Sequence, residues 1–122
     1  MDYAKQMRLV RKLSELTDQD AIDWKQAVPE GLFQVSFRDN SVRIMLQSAN
    51  AAPDIIIQLV NGDGEVVESF SDVNLQEASD DAQPGEWYNF LMSLYNAARR
   101  KALGADRVLN EIINDLDEII PF

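Results

Sequence analysis

A chain of 122 residues with 46% hydrophobic and 26% charged side chains has the make-up of one globular domain, large enough to fold without a disulfide or metal staple. It contains no cysteine and no histidine, which excludes disulfides, thiolate nucleophiles, cysteine-ligated zinc or iron–sulfur clusters, and serine–histidine or cysteine–histidine catalysis. The net charge of −10 lies almost wholly in residues 28–87, where two basic side chains face eleven acidic ones; such a surface repels nucleic-acid phosphate and anionic lipid and steers basic partners toward it.

The N-terminal stretch Met1–Arg8 carries charges where a signal peptide needs an apolar core, so a cytoplasmic location is expected. From Tyr3 to Leu16 the residues Tyr3, Met7, Leu9, Val10, Leu13 and Leu16 share one sector, with Lys5, Arg8, Arg11, Lys12 and Glu15 opposite. This spacing predicts an amphipathic helix over 1–17. Thr17-Asp18-Gln19-Asp20 breaks the pattern, and Ile22 and Trp24 then suit either a short strand or a turn.

From Gly31 the period becomes two. Phe33, Val35 and Phe37 alternate with polar residues, and after Arg38-Asp39-Asn40-Ser41 so do Val42, Ile44 and Leu46, which predicts a hairpin. Ser48 to Pro53 reads as a connection. Ile55–Val60, the longest uncharged apolar run, suits a central strand and is far short of the roughly 20 residues that span a bilayer. Asn61-Gly62-Asp63-Gly64 is a tight-turn signal, and Val66, Val67 and Phe70 complete a fourth strand, closing an antiparallel sheet over 31–70.

Ser71 to Gly85 is acidic and aperiodic, and reads as a long loop over 71–85, a place where binding residues concentrate. Trp87, Phe90, Leu91, Leu94, Tyr95 and Ala98 then recur at helical spacing. Gly104 supplies a left-handed C-terminal stop, and Arg99-Arg100-Lys101 sits where cations complement the helix dipole. Asp106 is placed to cap a last helix with Leu109, Ile112, Ile113 and Leu116 on one face up to Pro121. The expected fold is therefore a single α+β domain over 1–122: an N-terminal helix, a four-stranded antiparallel meander, and two C-terminal helices over 86–119 packed on one sheet face.

Asn61-Gly62-Asp63-Gly64-Glu65 looks at first like a calcium loop, but the sixth and twelfth positions hold Val66 and Asp72 instead of glycine and glutamate, and strands flank it. The carboxylates Asp18, Asp20 and Asp23, and separately Glu77, Asp80 and Asp81, lie in polar stretches with nothing to shift their pKa values toward catalysis. Phosphate loops, nucleophile elbows and dinucleotide fingerprints are missing, so no cofactor, metal or catalytic residue is expected. Among the aromatic residues, Trp24, flanked by Asp23 and Lys25, is the candidate surface anchor; the others suit the core.

The run Asn89–Leu103, with Leu94-Tyr95 followed by Ala98-Arg99-Arg100 and Ala102-Leu103, lies downstream of Trp24, Phe33 and Asp63-Gly64. This arrangement resembles small bacterial proteins of unknown function that end in a Leu-Tyr-x-x-Ala-Arg-Arg-x-Ala-Leu helix and a short acidic amphipathic helix. The resemblance covers most of the chain from Leu13 onward and implies a bacterial α+β domain, with no catalytic or ligand residues to carry over.

The expected function is a non-enzymatic interaction domain, in one version an immunity or inhibitor protein for a basic toxin or nuclease. Its contact residues would be Asp72, Glu77, Asp80 and Asp81 on the loop, Trp24, and a second patch of Arg99 and Arg100. A domain binding a small molecule or divalent cation is the alternative. Two C-terminal helices rich in leucine and isoleucine also allow a homodimer that buries one of them.

Overall fold

The computed structural model describes residues 2–48 and 52–120. Residues 49–51 of the expected connection over 48–53, and the Pro121 end of the last helix, lie outside the described residues. In chain order the elements are α1 (Ala4–Asp18), β1 (Lys25–Gln26), β2 (Phe33–Ser36), β3 (Ser41–Gln47), β4 (Asp54–Val60), β5 (Val66–Ser71), α2 (Asp72–Glu77), α3 (Glu86–Leu103) and α4 (Ala105–Ile119). The strands form one antiparallel sheet in the order β1-β2-β3-β4-β5. The fold is α+β.

Strand alternation divides the sheet into two chemically distinct faces. Phe33 pairs with Ile44, Ile44 with Ile57 and Ile57 with Phe70, so one row of side chains crosses four strands. All four are buried. One residue along, Gln34, Arg43, Gln58 and Ser69 make the matching row on the opposite face, where Arg43 Nε donates to Gln34 Oε1 at 2.8 Å. A period of two places the first row against helices and the second toward water.

The helices that cover the apolar row are α1, through Val10 and Leu13, α2 through Leu75, and α3 through Trp87, Leu91, Leu94, Tyr95 and Ala98. The core is closed by these three helices, and α4 contributes no buried residue to it. This departs from the expected pair of C-terminal helices on the sheet. α3 ends at Gly104, whose φ of 67° is the left-handed conformation in which glycine is least strained, and the chain leaves the core there.

Three further details differ from the sequence reading. A fifth strand, β1, pairs Lys25 with Gln34 and Gln26 with Phe33; two residues are too few to show a period. Inside the expected acidic loop lies α2, opened by a capping box in which the Ser71 hydroxyl accepts from the Asn74 N–H and the Asn74 side chain accepts from the Ser71 N–H. The expected cap Asp106 sits in the first turn of α4, with Gly104 at the N-cap.

The hairpins are closed as the turn residues suggest. Phe37 N–H donates to Asn40 O at 2.8 Å, and Phe37, the last residue of the expected alternation, is 40% exposed because β2 ends at Ser36. In the second hairpin, Asn61 Oδ1 accepts from the Asp63 and Glu65 N–H groups. Gly64 takes φ 83° there, whereas Gly62 does not have positive φ. A bulge between Leu59 and Val60 accompanies this turn.

Candidate functional site

The residues expected to meet a partner fall into three places. Trp24 is not at the surface. It is 1% exposed, and its Nε1–H donates to Thr17 Oγ1 at 3.0 Å, while Thr17 Oγ1–H donates to Leu13 O at 2.6 Å. The indole thus fixes the chain leaving α1 to the core beneath β1. The charged neighbours Asp23 and Lys25 pair with each other at 2.9 Å in solvent, which made the position look exposed.

Asp72 is also withdrawn from any partner. It is 6% exposed, and its Oδ1 accepts from the Ile55 N–H at 2.9 Å. Because β5 passes directly into α2, the first helical residue faces back toward the start of β4, and its carboxylate fills an otherwise open backbone donor. Glu77, the last residue of α2, and Asp80 and Asp81, on the turn between α2 and α3, are exposed. That turn is held to α3: Trp87 N–H donates to Gln76 Oε1 at 3.1 Å, Gln76 Nε2 donates to Gln83 O at 2.9 Å, and Trp87 Nε1 donates to Ser79 Oγ at 2.9 Å. A shallow depression beside it is lined by Arg11, Ser79, Asp80, Asp81, Glu86 and Trp87, with the Arg11 guanidinium 5.0 Å from the centre of the Trp87 ring.

Arg99 and Arg100 are exposed near the end of α3. Arg100 pairs with Asp106, and Lys101 Nζ lies 3.0 Å from Asp20 Oδ1, so acids of the same chain already meet two of the three cations. These pairs border a groove of about 320 Å³ between the loop after α1 and the α3–α4 junction. Solvent-facing pairs of this kind contribute at most about 1 kcal/mol each.

Tyr95 belongs to the core. Its hydroxyl donates to Gly31 O at 3.0 Å, and its ring meets Phe33 edge-on at 5.5 Å between centroids. Burial raises its pKa above the ordinary 10.0, partly offset by Arg99. The neutral phenol is therefore the form the fold favours: its stabilisation is complete below pH 10 and fades as pH rises through the higher folded value. Tyr95→Phe is expected to lose about 0.5–1.5 kcal/mol at neutral pH and to flatten the alkaline fall in stability seen by urea titration at pH 8–11; an unchanged alkaline limb would discount the role of this phenol.

A long uncovered apolar surface lies on the last helix, which the sequence placed either on the sheet or against a second copy. In α4 the side chains Ala105, Val108, Leu109, Ile112, Ile113, Leu116 and Ile119, with Ile120 just beyond, fall within an arc of roughly 140° at 100° per residue, with no polar side chain among them. Leu109 is 51%, Ile112 50%, Leu116 52% and Ile119 73% exposed. With Leu103 the uncovered side chains of this stripe expose roughly 700 Å², more than the ~300–600 Å² of the largest patch on a typical monomer. Periodicity identified the face; only the tertiary structure shows that none of the described residues buries it.

Among the described residues no group of three or more histidine, cysteine, aspartate or glutamate side chains could hold a metal ion, and no helix is long and apolar enough to cross a membrane. Compared with known protein families, with curated proteins and with solved structures, the chain has no match.

Proposed function

We propose that this chain is a non-enzymatic protein-interaction domain that acts on a basic protein partner, an immunity or inhibitor protein being the concrete version. One observation carries the reading: a folded core that is complete without α4, followed by a helix whose apolar stripe has no buried side chain. A helix of 15 residues is at the limit of what persists alone in water, and most helices in proteins owe their stability to packing of such a face. The exposed acids Glu77, Asp80 and Asp81 add a negative surface that accelerates encounter with a basic protein.

Photo-crosslinking in the native host tests this. Benzoylphenylalanine placed at Leu109, Ile113 or Leu116 is expected to give discrete protein adducts, and the same group at Asn110 or Asn114, on the polar side of α4, is expected to give none. Absence of adducts at every stripe position would overturn the reading.

A further inference from the structure

The residues that border the α4 stripe specify more than a generic apolar contact. On the helical wheel the first polar side chains met on one side are Asp106 and Asp117, and on the other Asp115. Every edge of the stripe is acidic. The single cation of α4, Arg107, lies on the far side and is held by Glu111 at 2.9 Å. In α4 as a whole, five acids stand against this one arginine.

Resting on the interaction reading above, we infer that α4 is a helix-in-groove ligand for a protein whose apolar groove is rimmed by lysine or arginine. Charges flanking an apolar helical seam choose the partner by attraction to opposite charge and by repulsion of like charge. A second copy of this chain would bring acidic edges against acidic edges, the arrangement that helical pairs use to avoid self-association. A lipid surface fits no better, because helices that lie in membranes carry lysine and arginine on the polar side and are drawn to anionic headgroups. A groove with a basic rim satisfies both parts of α4: it covers the leucines and isoleucines and pairs Asp115 on one edge and Asp117 on the other, Asp106 being already held by Arg100. The uncovered area of roughly 700 Å² is close to the ~800 Å² that each partner contributes to a standard interface.

The full chain is titrated with three synthetic amphipathic helical peptides that share one leucine stripe and differ only in its flanks, which are lysine, glutamine or glutamate. The lysine peptide is expected to bind about fivefold tighter than the glutamine peptide, with two acidic positions each meeting a cation, and to weaken with added salt. The glutamate peptide is expected not to bind. Asp115→Lys/Asp117→Lys should remove or reverse the preference, and Leu116→Glu should abolish binding by all three. Both variants are expected to keep the near-ultraviolet signal of Trp24 and Trp87, since α4 buries nothing in the core. Equal affinity for lysine and glutamine peptides, or binding of none, would overturn the basic-rim assignment. So would a stable dimer of the chain in sedimentation at micromolar concentration, or tight binding to phosphatidylcholine vesicles. If crosslinks form at the stripe in cells while the lysine preference is absent, the interaction domain stands and the basic rim falls; if no crosslinks form, the domain reading itself fails.

Discussion

Alanine in place of Trp24 is expected to lower the free energy of unfolding by about 3–5 kcal/mol, the range for truncating a large buried aromatic side chain. That is a large share of the roughly 5–15 kcal/mol by which domains of this size are stable. The loss has two parts. The indole body fills space between the end of α1 and β1, and its N–H is the partner of Thr17 Oγ1. Thr17→Val isolates the second part: it leaves the indole N–H buried without an acceptor and should cost about 1–3 kcal/mol, while in a Trp24→Phe background the same substitution should cost distinctly less. Urea titrations of the four proteins give the coupling directly. If Trp24→Ala shifts the midpoint by less than about 1 kcal/mol, as is usual for exposed positions, the indole would be the surface anchor first suggested by its charged neighbours.

Asp72→Ala should cost about 1–3 kcal/mol, because it leaves the Ile55 N–H buried and unpaired and removes an acid from the first turn of α2. Asp80→Ala and Asp81→Ala, a few residues along the same acidic stretch, should each stay within ~0.5 kcal/mol. Thermal or urea melts of the three variants separate a structural carboxylate from solvent-facing ones. Equal effects at the three positions would mean that Asp72 has no special place in the fold.

The contrast among these acids shows where sequence reading succeeds and where it stops. The alternation of Phe33, Val35, Val42, Ile44 and the run Ile55–Val60 reports the sheet, since each strand carries its own period and the turn residues mark its ends. The helical spacing from Trp87 to Ala98 reports α3 for the same reason. β1 stays undecided between strand and turn because two residues define no period, and α2 escapes notice because Val73 and Leu75 are the two apolar positions among its six, too few for a helical period, and its Ser71–Asn74 box has asparagine in place of the usual glutamate or glutamine. The burial of Asp72 and Trp24 depends on partners in other elements, Ile55 in β4 and Thr17 in α1, which composition and local charge do not reveal. For α4 the face was legible and its surroundings were not: amphipathicity states that a surface will be covered and is silent on what covers it.

Gly104 gives the molecule a division of labour along its length. Every buried side chain of the core among the described residues lies N-terminal to this glycine, and α4 beyond it adds none. On the reading proposed above, substitutions in the final helix change what the chain recognises at almost no expense in foldedness, and substitutions in the core change foldedness first. A lineage built this way can retarget by drift in a stretch of 15 residues while its scaffold stays under purifying constraint, so the two regions should diverge at different rates.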